Sequence, residues 1–395
     1  MFKFRRSQEA AYMDRNVEKF AEIFGYLPQY IFRSPARVEL GGNHTDHQRG
    51  IALCAAVDLC TKAWVSSNGR PVINIHSEGY EPFTIDMNDI EIHPEEYKTP
   101  QAIVRGTISQ FVQYGLYGFD AYITSNIPAG CGLASSASFE ILLATICNEL
   151  SGLEKSDNEL AHLAKYVENE YFGKPCGLLD QMACTAESIM CIDFSDSDYP
   201  DIWDIDFDFN EHGYSLCIIK CGDSHEQLTA DYASIPADLK KICAVFGSDV
   251  LREVEESEFY EHIGELREKC SDRAVLRAMH VYNENKRVEA MRDALRSDDV
   301  ETYLSLVRKS GVSSWELAQN VVSPSKDRQD LAVALALAEK LLDGRGACRV
   351  HGGGFAGTIQ AYVPNEKTEE FTAGMEALFG KGCCLFVKLK TRNMR

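Results

Sequence analysis

Several familiar features are absent from this chain, and each absence removes a class of function. No run approaches the ~18 apolar residues a membrane-spanning helix needs. The N-terminal stretch MFKFRRSQEAAYMDRNVEKF starts basic, but no apolar run of about seven or more residues follows it, so no signal peptide is expected. None of the 14 cysteines falls in a C-x-x-C pair. Cys217 and Cys221 are separated by three residues and Cys383 adjoins Cys384, neither of which is structural-zinc spacing. Without a secretion signal, thiols in this number point to a reducing, cytoplasmic setting and to cysteine as a small buried hydrophobe. A basic surplus is missing too. With 60 acidic against 40 basic residues and a net charge of -20, general affinity for nucleic acid or anionic membrane is not expected. No internal repeat or low-complexity linker interrupts the chain.

What remains is an ordinary globular composition, 45% hydrophobic and 25% charged over 395 residues, long enough for two or three domains. Strands are expected at 31–41, 62–67, 72–76, 82–87 and 119–127, with Ile51–Val57 as a buried strand or helix. Helices are expected at 101–117, over the apolar stretch 137–150, and from a cap at Asp157 to about Tyr171. Residues 184–219 contain nine Asp or Glu and no Lys or Arg. Within them Trp203 to Phe209 alternates aromatic or aliphatic with Asp, which fits an edge strand protected by its charges better than a cation site. The pattern changes near 210–215, which divides the chain into 1–213 and 214–395. The second part holds a strand at 215–220, helices at 273–296, 299–309 and 326–342, and strands at 349–363 around a glycine turn and at 384–390.

Four segments carry chemistry. In Pro128-Ala-Gly-Cys-Gly-Leu-Ala-Ser-Ser-Ala-Ser138, Gly130 and Gly132 permit close backbone approach and the loop runs into a helix, so free amides and the helix dipole converge on one spot that suits an anion. It is not a Walker loop, because no Lys follows the glycines. Ser135, Ser136 and Ser138 add hydroxyls for phosphate or metal; the plainer alternative is a tight turn with a serine N-cap. In Arg33-Ser-Pro-Ala-Arg37-Val-Glu-Leu-Gly-Gly-Asn43-His44-Thr45-Asp46-His47, a strand leads through two glycines into a polar cluster able to hold sugar hydroxyls. A metal site of His44, Asp46 and His47 and a plain polar turn are its rivals. In VENEYFGKPCGLLDQ (167–181), Glu168 falls late in a helix and Asp180 opens an apolar stretch, where it needs a partner or acts as an N-cap. In Val350-His-Gly-Gly-Gly-Phe-Ala-Gly357, three consecutive glycines imply close approach by a ligand or another segment.

In this order the four segments resemble the galactokinase branch of the GHMP small-molecule kinases. Galactokinases read P-G-R-V-N-L-I-G-E-H-T-D-Y-N where this chain reads PARVELGGNHTDHQ. Their G-x-G-L-S-S-S-A-S corresponds to GCGLASSAS, their A-E-x-x-F-x-G-x-x-C-G-I-M-D-Q to VENEYFGKPCGLLDQ, and their T-G-G-G-F-G-G-C to HGGGFAGT. SHEQLTADY and HVYNENKRVEAM match more loosely. The resemblance implies an α+β, two-domain GHMP kinase architecture, with a ribosomal-S5-like N-terminal domain, a ferredoxin-like C-terminal domain and the active site in the cleft between them. It implies ATP- and Mg2+-dependent phosphorylation of D-galactose at the anomeric 1-hydroxyl. Gly130, Gly132, Leu133, Ala134, Ser135, Ser136 and Ala137 would wrap the ATP phosphates, and Ser136 and Glu168 would bind Mg2+. Asp180 would face the 1-hydroxyl with Arg37 beside it and the transferring phosphate. Asn43, His44, Asp46, Gly177 and Tyr232 would hold the other hydroxyls, with glycines 352–354 in support.

This pattern suits phosphoryl transfer, which needs alignment and charge stabilisation more than covalent chemistry. The chain departs from the family in the second segment. Asn43 stands where galactokinases carry Glu, His47 replaces Tyr, Gln48 replaces Asn and Arg49 replaces Gly. Loss of that negative charge, and a D-H-Q run like that of plant galacturonate kinases, make a galacturonate or amino-sugar 1-kinase the alternative. A sugar- or ATP-sensing regulator without turnover is a remoter one, opposed by the intact Asp180, Arg37, Glu168 and Ser136. The expected partners are a small sugar and ATP, with neither nucleic acid nor membrane, and the chain is expected to be a monomer or weak homo-oligomer.

Overall fold

The structure is a computed structural model describing residues 15–186, 188–222, 229–322, 327–355 and 357–390. In chain order the first elements are α1 (Arg15–Phe24), β1 (Tyr30–Gly41), β2 (Ile51–Ser67), β3 (Val72–Ser77), β4 (Phe83–Asp86), α2 (Pro100–Ser109), β5 (Phe119–Ser125), α3 (Ser135–Leu150), α4 (Asp157–Tyr166) and α5 (Leu179–Thr185). Then come β6 (Ile189–Asp193), β7 (Asp201–Ile205), β8 (Tyr214–Lys220), α6 (Thr229–Val245), α7 (Glu256–Glu261), α8 (Ile263–Lys269), α9 (Asp272–Arg296) and α10 (Val300–Ser313). The chain closes with α11 (Asp330–Leu342), β9 (Ala347–Val350), β10 (Thr358–Pro364), α12 (Thr368–Phe379) and β11 (Cys384–Val387). They form two compact α+β units. The first takes the described residues up to 37, 58–127 and 134–186; the second takes 38–57, 128–133 and the described residues beyond 187.

In the first unit β5 lies between β3, parallel to it, and the second half of β2, antiparallel to it; β4 closes the β3 edge. Helices α2 and α3 cover the sheet through Ile103, Val104, Leu142, Leu143 and Ile146, packed on Val65, Ile73, Ile75 and Phe119. α3 is rich in apolar residues and is buried from Ala137 to Cys147 except at the half-buried Phe139. Gly118 must be glycine, because a Cβ there would stand 1.9 Å from the Arg70 carbonyl oxygen.

In the second unit the sheet order is β11-β8-β10-β9, all antiparallel. α11 lays Leu331, Ala334, Leu335, Ala338 and Leu342 against it, a run of three- and four-residue spacings, and α12 adds Phe371 and Met375. A separate core joins α6, α7, α8 and α9. The first half of β2 pairs with β6, and β6 with β7.

The structure refines several sequence expectations. Ile51–Val57 and 62–67 belong to one strand, because nothing between them breaks it. The helix expected at 101–117 stops at Ser109 and a short 3-10 turn follows at Val112–Tyr114. Ser156, not Asp157, caps α4: its hydroxyl accepts from the Glu159 amide while the Glu159 carboxylate accepts from the Ser156 amide. The acidic segment supplies an edge strand, β7, but it runs only from Asp201 to Ile205; beyond its end Phe207 and Phe209 are still buried and Asp206 exposed. The expected start at Lys326 lies outside the described residues, and α11 begins at Asp330. All 14 cysteines are free thiols, eleven buried and three half-buried, as expected of small core residues. Among the described residues no helix is long and apolar enough to cross a membrane.

Candidate active site

In the first unit four candidate groups converge. β1 carries buried Arg37, whose Nε and Nη2 both donate to Oδ1 of Asp180, at 2.8 and 2.6 Å. Asp180 is the second residue of α5, whose N-cap position is Leu178, so the N-cap alternative does not hold. Arg37 is held almost out of solvent while the Asp180 side chain keeps 42% of its exposure. The acid is thus anchored at one oxygen from the protein side and presented on the other. Gly177 lies half-buried in the turn just before α5.

Glu168 sits in a π-helical turn, Val167–Tyr171, that continues α4. The turn is locked by Tyr171, whose ring lies so close to α2 that a Cβ at Gly106 would stand 2.6 Å from it, and whose hydroxyl donates to the Ile90 carbonyl at 2.9 Å. Glu168 is buried. Its Oε1 accepts from Lys174 at 2.7 Å and its Oε2 from Gln181 at 2.7 Å. Gln181 Nε2 also donates to Glu140, 3.1 Å away. Burial, and then the Glu168 carboxylate beside it, push Glu140 well above the usual carboxylate range, while Lys174 faces Glu168.

α3 begins at Ser135 with Ala134 at its N-cap, left-handed at φ 53°, and no side chain caps it. The serine-cap alternative therefore fails, and the amides of the first turn are not taken by a cap. Ser135 is exposed, Ser136 half-buried and Ala137 buried. Ser138, considered for ligand contact, is fully buried and ties the helix to the strands, its hydroxyl bonding the Ser34 carbonyl at 2.9 Å and the Thr61 hydroxyl at 3.0 Å.

In the second unit the loop 128–133 turns on Gly130 and Gly132, at φ 72° and 68°. A Cβ on Gly132 would meet the buried His351 ring at 3.0 Å, and His351 Nε2 donates to the Gly132 carbonyl at 3.0 Å. Leu133 is buried beneath. A chain that must expose amides at positive φ in so little space needs glycine.

The same unit brings together Asn43, His44, Tyr232 and the three glycines. His44, itself at φ 61°, donates from Nε2 to the Gly353 carbonyl at 2.8 Å. Its Nδ1 then accepts from His47 Nε2 at 3.2 Å, and His47 Nδ1 accepts from Gln48 at 3.1 Å. Gln48 is held in turn by the Leu251 amide, 3.0 Å from its oxygen. The relay needs both imidazoles neutral. Burial drives His44 well below the usual histidine range, helped by His47, and drives His47 down to about 4. Both His44 nitrogens are thereby occupied, and among the described residues no cluster of His, Cys, Asp or Glu fits a metal, so the metal alternative at His44, Asp46 and His47 drops out. Asp46 opens the 3-10 turn Asp46–Gln48 and stays half-buried.

Asn43 is fully buried. Its amide nitrogen donates to the Gly352 carbonyl and its amide oxygen accepts from Asn320 at 2.7 Å, while its main-chain carbonyl accepts from His280 at 3.0 Å. Tyr232 packs with its ring 5.3 Å from that of His44 and would stand 1.9 Å from a Cβ on Gly353. The third glycine, Gly354, is pressed against the Asn320 carbonyl, 2.4 Å from where its Cβ would be. The glycine run is thus approached from two sides, by an aromatic ring and by Asn320.

Beneath the Gly41-Gly42-Asn43 turn lies a charge network that sequence reasoning missed. Arg349 on β9 is fully buried; it reaches the Glu39 carboxylate at 2.7 Å, the Ser310 hydroxyl at 3.0 Å and Glu284 at 3.7 Å. Glu284 accepts from Ser310 at 2.6 Å and from the Gly42 amide at 3.3 Å, and also pairs with Arg287. Burial pushes Glu284 upward, but Arg287, His280 and Arg349 outweigh it and hold it below the ordinary range. The only sequence signal was the odd presence of an Arg between apolar residues of a short strand.

The buried histidines make an acid-sensitivity prediction. His44, His47 and His280 all titrate below the free value of about 6.5. The unfolded chain then binds more protons than the folded one, so stability is intact above pH ~6.5 and is lost as pH falls toward 4. Unfolding between pH 6.5 and 4.5 is expected to take up as many as about three protons, read from the pH slope of denaturant unfolding. His47→Gln is expected to flatten that slope by about one proton; an unchanged slope would remove His47 from the account.

Comparisons with known proteins agree with this picture. Residues 102–188 match the family model for the GHMP kinases N terminal domain, and residues 18–67 match the galactokinase galactose-binding signature. A galactokinase of Streptomyces coelicolor is 29% identical over 369 residues, covering 92% of each chain. One of Glaesserella parasuis is 28% identical over 372 residues, covering 89% of each. The fold matches the crystal structure of Lactococcus lactis galactokinase complexed with galactose at a TM-score of 0.79 and 22% identity, over 95% of this chain and 97% of that one. A mevalonate kinase structure follows at TM-score 0.65 and 19% identity, over 92% and 99%. In its ordered motifs, its two-unit α+β fold and these relatives, the chain is similar to the GHMP small-molecule kinases and, among them, to the galactokinases.

Proposed function

We propose that this protein is a sugar 1-kinase that transfers the γ-phosphoryl group of ATP to the anomeric hydroxyl of D-galactose. The observation that carries the reading is the Arg37–Asp180 pair: a buried guanidinium fixes one oxygen of a carboxylate whose side chain stays open to a ligand. Asp180 either accepts the hydroxyl proton or orients the hydroxyl for attack, and Arg37 offsets negative charge building on the transferring phosphoryl group. The loop from Gly130 through Leu133, Ala134, Ser135, Ser136 and Ala137 cradles the phosphates with backbone amides. The two positive-φ glycines fit that role, since a side chain on either would fill the cradle.

Mg2+ fits beside Glu168, with Ser136 as the second ligand, because a buried carboxylate there already draws a cation, the Lys174 ammonium. Magnesium is commonly held by one or two carboxylates together with substrate phosphates, and it would supply neutralisation of phosphate oxygens. Asn43, His44, Asp46, Gly177 and Tyr232 form the sugar-binding set, on a chain divided functionally into 1–213 and 214–395 and working in the cytoplasm.

A second reading, a galacturonate or amino-sugar 1-kinase, is kept because Asn43 carries no charge. Its amide is, however, engaged by Gly352 and Asn320 and is less free to read the sugar than its sequence position implied. An ADP-release assay with Mg-ATP over a sugar panel decides between them. Galactose is expected to turn over at least about tenfold faster, in kcat/KM, than galacturonate or galactosamine, a discrimination of about 1.4 kcal/mol. Turnover of galacturonate without galactose would reverse the order, and no turnover of any sugar would favour a sensor.

A further inference from the structure

We propose that Lys220 is a phosphate-contacting residue of the nucleotide site, supplying the positive charge that the loop 128–133 lacks. This rests on the reading of that loop as the ATP phosphate cradle. The loop has no charged residue of its own. Lys220 ends β8, where its backbone is pinned: it pairs with Thr358 on one side, and on the other its amide donates to the Cys383 carbonyl at 2.9 Å. From there the side chain runs to the loop, and its Nζ lies 3.6 Å from where a Cβ on Gly130 would stand. Gly130, at φ 72°, turns the loop beside the ammonium. The same charge is felt at the next residue, where burial raises the Cys131 thiol and Lys220 draws it back down. Lys220 is exposed, so a ligand can reach it.

The chemistry follows from what amides and ammonium each do. Backbone amides hold phosphate oxygens by direction, at fixed positions. A lysine ammonium acts as a flexible point charge whose attraction grows with the charge of the ligand. In phosphate loops that carry their own lysine the two come from one segment. Here the amides come from 128–133 and the ammonium from the end of β8, far away in sequence. Lys220 therefore favours the nucleotide with more phosphates, and ATP gains from it where AMP does not.

The test measures nucleotide binding to the full chain by calorimetry, without turnover. In Lys220→Gln, ATP affinity is expected to fall about tenfold or more while AMP affinity changes less than about twofold, and Lys220→Arg is expected to recover most of the ATP affinity. In kinetics the same variant raises KM for ATP and leaves KM for the sugar unchanged. Equal loss for ATP and AMP, or no loss for either, overturns the proposal. If the unaltered protein binds no nucleotide, the loop reading itself fails; if it binds ATP and Lys220→Gln binds it as well, only the role of Lys220 fails. Because Lys220 is exposed, its variants are expected to keep the unfolding midpoint, and a lowered midpoint together with uniform loss would likewise count against it.

Discussion

Asp180→Asn is expected to lower kcat about a thousandfold, the middle of the range for a positioned acid–base group. The substitution suits the geometry. Both Arg37 bonds fall on Oδ1 of Asp180, and an asparagine keeps an oxygen there to accept them. What disappears is the second carboxylate oxygen and the negative charge, the parts available to the sugar hydroxyl. The fold is therefore expected to survive, at a cost of about 1–3 kcal/mol because the buried Arg37 keeps an acceptor but loses its counter-charge. KM for the sugar is expected to change much less than kcat, because the hydroxyl can still hydrogen-bond the amide. A variant that retains kcat within tenfold would take Asp180 out of the reaction.

The second large effect is on stability. Arg349→Ala is expected to cost about 3–5 kcal/mol, because removing one member of a buried ionic group leaves its partners uncompensated. Two carboxylates face Arg349, Glu39 at 2.7 Å and Glu284 at 3.7 Å, and Arg287 pairs with Glu284. Denaturant unfolding measures the loss. Adding Glu39→Gln to the Arg349 variant is expected to recover part of it, since the stranded charge is then removed as well. A loss under about 1 kcal/mol would mean that water or rearrangement satisfies Glu39, and that the network is not the support inferred here. Activity is expected to fall more than stability alone explains, because Glu284 also holds the Gly42 amide and so the Gly42-Asn43-His44 turn.

The candidate site was unevenly legible in the sequence. Gly130 and Gly132 could be read directly, since a glycine pair entering a helix predicts positive φ and open amides, and both appear. The need of Asp180 for a partner was equally readable, since an acid beside Met182-Ala-Cys184 cannot be left alone. Its partner was not, because Arg37 lies 143 residues away in the chain. The departures at His47 and Gln48 stood in the sequence only as differences from the family. The structure gives them a task, a relay of neutral groups that orients His44. Asn43 was read as one of the sugar-holding residues; in the structure its amide also stitches two turns together through Gly352 and Asn320. Nothing local distinguishes an amide that faces a ligand from one that faces a carbonyl 309 residues on.

Taken by itself, the sequence determined the resemblance to the GHMP kinases, the succession of most strands and helices, and the places where the backbone must turn through glycine. These depend on the periodicity of near neighbours and on φ preferences of single residues, which are written locally. Tertiary structure alone decided which charges meet: Arg37 with Asp180, Arg349 between Glu39 and Glu284, Lys174 with Glu168, and Lys220 against an uncharged loop. Electrostatic environment and burial are sums over residues distant in the chain. The same side chain is a ligand contact, a structural tie or a silenced acid according to neighbours that only folding supplies.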